Sequence, residues 1–122
     1  MNYKPILIVA GEPNSIFLEI FFKSIQHHHY KSPILIIASK NLLEQQMKKL
    51  GFIFNINTID PNFKKFNLLD NKKINLIDVE YKFKNCFEKI SIKSNDYIKN
   101  SFELALKIIK QNKLSKFING PI

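Results

Sequence analysis

The sequence predicts an α/β fold: one domain over residues 1–122, built as an open, mostly parallel sheet flanked by helices. Three observations predict it. The continuous apolar run Ile6–Ala10 has the character of a strand buried on both faces, Pro33–Ala38 reads as a second buried strand, and Ile74–Val79 as a further strand. Segments with helical apolar spacing alternate with these runs. Turn-forming residues stand at two strand exits, Gly11-Glu12-Pro13-Asn14-Ser15-Ile16 and Asn119-Gly120-Pro121-Ile122. In such folds the loops that leave the carboxyl ends of the strands carry the ligand site.

Taken in order, Ile6–Ala10 reads as the first strand. A helix follows from Ser15 to about Gln26, with Asn14 or Ser15 as N-cap and Glu19 in its first turns, where the helix dipole favours an acid. Ile16, Ile20 and Ile25 are expected along its inner side, joined by Phe17, Phe21 and Phe22. Pro33–Ala38 is the second strand. Ser39 is placed to cap a helix over Lys40–Leu50, with Leu42, Leu43, Met47 and Leu50 inward. Gly51 is free to adopt the positive φ that ends it.

Phe52–Ile59 alternates more loosely and reads as a third strand, broken by Asp60-Pro61-Asn62. The Lys- and Asn-rich stretch onward to Lys73 reads as a surface loop. Ile74–Val79 is the fourth strand. Lys82–Ile92 reads as a loop with one short extended piece. A long helix runs from Ser94 to about Asn112, burying Tyr97, Ile98, Phe102, Ala105 and Ile109. Lys107, Lys110 and Lys113 collect at its C-terminal end, where cations are favoured. Phe117-Ile118 is the last strand.

Composition narrows the function classes. Eleven Phe and an apolar fraction of 45% supply a core, which argues against disorder. No apolar run approaches the roughly 20 residues that span a bilayer. Met1–Ala10 leads straight into a turn, so it reads as a strand and not as a targeting segment. The single Cys86 allows no intramolecular disulfide and fits a reducing cytoplasm. The net charge of +9 points toward polyanions, yet all nineteen basic residues are Lys, and Arg is the usual fork for phosphate and guanine. The lysines are spread as singles and pairs, as on a solvated surface, so no nucleic-acid partner is expected.

Candidate chemistry gathers at the two strand exits. In Gly11-Glu12-Pro13 the glycine permits a tight turn, the acid can face a ligand, and the proline fixes the entry to the helix. The helix N-terminus beyond it offers N–H groups to an anion. The segment is neither a dinucleotide nor a P-loop fingerprint. His27-His28-His29 is not expected to bind a metal, because consecutive residues point in diverging directions and no spaced partner accompanies them. Cys86 lacks the neighbours of a nucleophile, and Asp60, Asp70, Asp78 and Glu80 show no compact carboxylate pair.

With these residues in view, the chain resembles the N-terminal part of the 4-hydroxythreonine-4-phosphate dehydrogenase family of pyridoxal-phosphate biosynthesis. Four motifs carry the resemblance, in order: Gly11-Glu12-Pro13-Asn14-Ser15-Ile16-Phe17-Leu18-Glu19; Leu42-Leu43 through Leu50-Gly51; the helix from Tyr97 to Ile109; and Asn119-Gly120-Pro121-Ile122. Ser15 and Phe17 depart from the family pattern, which has glycine at both places. The resemblance implies the partial first domain of an isocitrate/isopropylmalate dehydrogenase-like fold. It implies an enzyme that uses NAD or NADP and a divalent metal (Zn, Mg or Co), acts on a small phosphorylated substrate and works as a homodimer. It also implies that Gly11, Glu12, Pro13, Asn119, Gly120 and Pro121 line the cofactor or substrate cleft. The family's metal-binding histidines and its main substrate-binding residues lie downstream of Ile122, so no catalytic or metal-binding residue carries over to this chain. A non-catalytic remnant or partner-binding domain is the alternative; a lysine-rich nucleic-acid binder is a third reading.

Overall fold

The computed structural model describes residues 4–122. Five strands, β1 (Ile6–Val9), β2 (Ile34–Ala38), β3 (Ile56–Thr58), β4 (Ile74–Asp78) and β5 (Phe117–Asn119), form one sheet in the order β3-β4-β2-β1-β5. All four pairings are parallel. Three helices accompany them: α1 (Phe17–His27), α2 (Lys40–Leu50) and α3 (Asn95–Asn112). The expected order of elements and the open parallel sheet are therefore present.

Strand alternation sorts the core into two layers. Ile8, Ile36, Ile74 and Leu76 face α1 and α2, where Leu18, Phe21, Phe22, Leu42, Leu43 and Met47 pack against them. Leu7, Val9, Leu35, Ile37 and Ile77 face the other way, onto Ala105 and Ile108 of α3. The three central strands are thus covered on both faces, which is why β1 and β2 read as unbroken apolar runs; β4 carries one buried polar residue, Asn75, whose Nδ2 donates to Ile34 O and Asp70 O. Full burial of side chains such as Phe22, Leu76 and Ile108 stabilises the fold by about 1.5–3 kcal/mol each.

Several local expectations are corrected. The first helix begins at Phe17 with Ile16 as its N-cap residue, so neither Asn14 nor Ser15 holds that place. Its buried face is Leu18, Phe21, Phe22 and Ile25, an i, i+3, i+4, i+7 set. Ile16 and Ile20 instead stand 68% and 51% exposed, because that set rotates them outward. The third strand pairs only over Ile56–Thr58, although the alternation before it is real: Phe52 and Phe54 pack inward and Ile53 is exposed. The loop after Pro61 is not wholly at the surface; Phe63 is buried against the α3-side core and Phe66–Leu68 forms a 3-10 turn. Residues 82–92 contain no strand, and they bury Cys86.

The caps of α2 are as the residues dictate. Ser39 Oγ accepts from the Leu42 N–H at 3.2 Å, and Gly51 closes the helix at φ 81°. The Ser39 N–H donates to Tyr97 Oη at 3.0 Å, tying α3 to the start of α2. Tyr97 is only 3% exposed. Burial raises its hydroxyl pKa well above the ordinary 10.0; the Ser39 N–H opposes this and the charge of Asp78 adds to it. A raised folded-state pKa leaves the Tyr97 contribution intact below the unfolded value and removes it as pH climbs beyond. Urea unfolding at stepped pH is therefore expected to show stability falling above pH 10 or so, by up to about 1.4 kcal/mol per pH unit from this group. Tyr97→Phe is expected to flatten that alkaline slope. It should also cost about 1–3 kcal/mol at neutral pH, because the Ser39 N–H loses its buried acceptor. An unchanged slope in the variant would assign the alkaline loss to other groups.

Candidate functional site

Parallel pairing puts every strand exit at one edge of the sheet, and β1 and β5 are neighbours there. The two turns singled out from the sequence are joined by backbone hydrogen bonds. The Gly120 N–H donates to Val9 O at 2.8 Å, and the Glu12 N–H donates to Pro121 O at 2.6 Å. Both glycines are needed for this approach. Gly11 sits at φ 74°, and a Cβ there would fall on Pro121 O; a Cβ on Gly120 would fall on Ala10 O. Gly11, Glu12 and Pro13 are buried, as is Gly120, whereas Asn119 and Pro121 are exposed. Asn119 Nδ2 donates to Gly120 O at 2.8 Å.

Glu12 turns inward. It is 7% exposed; Oε1 accepts from the Asn14 N–H at 3.2 Å, and Oε2 lies 3.0 Å from Ser94 Oγ, just ahead of α3. The carboxylate thus fastens the first turn to the entry of the last helix. Further bonds hold the same turn. Gln46, fully buried on α2, donates through Nε2 to Pro13 O at 3.1 Å and to Cys86 O at 3.2 Å. Asn14 Oδ1 accepts from the Glu88 N–H at 3.0 Å. Ser15 Oγ accepts from the Phe17 N–H at 3.2 Å. Glu88 is itself fixed by the N–H groups of Asn85 and Lys84, which hold its carboxyl below the usual range, with Lys93 adding to the effect.

Ser15 and Phe17 occupy their places without backbone strain: among the described residues Lys113 alone, apart from glycines, has a positive φ. The Phe17 ring packs over Gly120, with Cγ 2.8 Å from where a Cβ would stand. A large side chain therefore fills space at the helix entrance beside the second turn.

Gln46, Ser94 and Asn14 form the supporting set that sequence reasoning did not assign. A signal existed for Gln46. It lies four residues after Leu42 and four before Leu50, on the inward stripe of α2. A polar residue on such a stripe must find buried partners. Elsewhere, the start of α2 is served by the protein itself, since the Lys40 N–H donates to Asp78 Oδ1 at 2.8 Å. Among the described residues no three His, Cys, Asp or Glu side chains converge to hold a metal ion. His28 and His29 border a cavity at the opposite edge of the sheet.

No protein-family model and no curated protein matches this sequence. The fold does have close counterparts among solved structures. A 4-hydroxythreonine-4-phosphate dehydrogenase from Burkholderia phymatum superposes with a TM-score of 0.80 at 21% identity, over 98% of this chain and 37% of its own. A protein assigned as the same enzyme from Salmonella typhimurium superposes with a TM-score of 0.80 at 17% identity, over 98% of this chain and 38% of its own. The resemblance drawn from the four motifs thus holds at the level of fold, and the chain spans under two fifths of the length of these structures.

Proposed function

We propose that this chain supplies part of the first domain, and one wall of the cleft, of a dehydrogenase resembling 4-hydroxythreonine-4-phosphate dehydrogenase. The observation that carries the reading is the hydrogen-bonded meeting of the Gly11-Glu12-Pro13 and Asn119-Gly120-Pro121 turns at the carboxyl edge of a sheet with that enzyme's fold. The reaction would oxidise the secondary alcohol of 4-phosphohydroxy-threonine, with loss of carbon dioxide from the resulting β-keto acid. NAD or NADP would accept the hydride.

In this reading Asn119, Pro121 and the outward side of the first turn face the cleft. Glu12, Gln46 and Ser94 keep that turn in place from behind. The described residues do not offer a divalent metal a ligand set, so its ligands would come from other parts of the enzyme, and no chemical step is assigned to residues of this chain. The remaining partners are a second copy of the enzyme and the phosphorylated substrate. A cytoplasmic setting suits the lone Cys86. No helix among the described residues is long and apolar enough to cross a membrane.

One observation favours a second reading, a partner-binding domain without turnover. At the outer flank of the sheet, β5 and its surroundings expose Phe117, Ile118, Ile122 and Leu106. Intact mass of the native protein and its tight partners, followed by NAD(P) reduction with 4-phosphohydroxy-threonine and a divalent metal, separates the two. Turnover that requires both substrate and metal is expected from the native species. A native protein that stays inert under those conditions, whatever its mass, would overturn the dehydrogenase reading in favour of partner binding.

A further inference from the structure

A cavity of about 440 Å³ opens at the amino-terminal edge of the sheet, the edge opposite the two turns. It lies where the chain enters β2, β3 and β4, beneath the end of α1. Its inner surface is apolar: Phe21, Ile25, Ile34, Phe54 and Ile74. These side chains belong to the α1/α2-side core, and Phe54 stacks with the fully buried Phe22 at 6.1 Å between ring centroids. The rim differs sharply in chemistry. His28, His29, Tyr30, Asn71, Lys72 and Lys73 provide hydrogen-bond donors and positive charge, and no carboxylate lines the cavity.

The nearest acid in sequence, Asp70, does not line the cavity; its Oδ1 accepts from the Lys72 N–H at 2.8 Å. Neither Lys72 nor Lys73 forms an ion pair among the described residues. Asn71 Nδ2 reaches Lys31 O at 3.4 Å, linking the two rim segments, and the His28 and Tyr30 rings stand 6.1 Å apart. The volume falls within the range of small-molecule sites, and an apolar floor with a few polar groups at the rim is their usual construction.

From this arrangement we propose that the cavity binds a small organic acid with an aromatic body. The ring system lies on the partly exposed Ile25, Ile34 and Phe54, with the buried Phe21 and Ile74 behind them, extending the phenylalanine cluster. The anionic end meets Lys72 and Lys73 at the rim, with the His28–Tyr30 segment opposite. The site is separate from the carboxyl-edge turns and does not depend on the dehydrogenase reading.

The test uses anilinonaphthalene sulfonate, an aromatic anion whose fluorescence rises in apolar surroundings, with the full chain. Saturable binding of one equivalent is expected. The double substitution Lys72→Glu/Lys73→Glu is expected to weaken it about tenfold or more, whereas Lys107→Glu/Lys110→Glu on α3 changes it less than about twofold. Equal weakening in both variants would show a general charge effect and overturn the proposal, as would non-saturable binding. Amide shifts in the unsubstituted chain give a readout independent of the variants' folding. Perturbations confined to residues around Ile34, Phe54 and Ile74 support the site, and perturbations around β5 overturn it.

Discussion

Alanine at Gly11 is expected to destabilise the chain by about 3 kcal/mol or more, a large share of the 5–15 kcal/mol that holds a typical domain together. Two costs add. At φ 74° an L side chain is strained by about 1–2 kcal/mol. The new Cβ also lands on Pro121 O and lies 2.8 Å from the Gly120 carbonyl carbon, so backbone must move on the β5 side. Gly51 isolates the first cost. Its φ is 81°, yet a Cβ there meets nothing within 4 Å. Gly51→Ala should therefore lose only about 1–2 kcal/mol. Urea midpoints for the two variants measure the difference directly. Matching losses would mean that the β1 and β5 exits are not packed against each other as described. Gly120→Ala strikes the same contact from the other side, meeting Ala10 O and the Phe17 ring, so combining it with Gly11→Ala should cost less than the sum.

Why these glycines were visible in the sequence, and their partners were not, follows from the range of each interaction. A glycine between an apolar strand and a helix is a local signal, because only backbone geometry is needed to interpret it. The same holds for Ser39 and Gly51 around α2, where cap and stop lie within the element they bound. β1 and β2 were legible because burial on both faces removes alternation and leaves unbroken apolar runs. The register of α1 was less so. Its segment offers seven large apolar residues from Ile16 to Ile25, and only packing against Ile8, Ile36 and the phenylalanines after Gly51 selects which of them turn inward. Phe63 shows the same limit. It sits in a run of lysines and asparagines, and its burial depends on a core cluster that includes Leu35, Ile37 and Ile77, residues remote in the sequence.

The meeting of the two turns was implied by topology once both were placed after parallel strands, since such strands share one exit edge. That they would be hydrogen-bonded neighbours depended on β5 lying beside β1, a pairing across more than a hundred residues that no local pattern encodes. The inward direction of Glu12 depended on a longer chain of circumstances. Ser94 had to arrive at the same edge at the head of α3, and Gln46 had to hold Pro13 from α2. An acid in a strand-exit turn reads equally well as a ligand contact or a brace until those elements are in place.

The brace assignment leads to the second large effect. Glu12→Ala is expected to destabilise the chain by about 2–3 kcal/mol, because it strands the Asn14 N–H and leaves a hole beside Ser94 in a buried site. Glu12→Gln should lose about 1 kcal/mol or less. Its carbonyl oxygen can still accept from the Asn14 N–H. Its amide can donate to Ser94 Oγ, whose own proton is then released to Ser91 O, already 3.1 Å away. The pair of variants also separates bracing from ligand contact. A carboxylate that touched substrate or cofactor would make Glu12→Gln fold normally and bind poorly, while a brace makes stability and binding fall together in the alanine variant and survive together in the glutamine one. Urea midpoints and, as the proposed dehydrogenase function requires, nicotinamide-cofactor binding by the native protein, measured on both variants, show which pattern holds. Loss of binding by Glu12→Gln at unchanged stability would return Glu12 to the ligand-facing role that the sequence suggested.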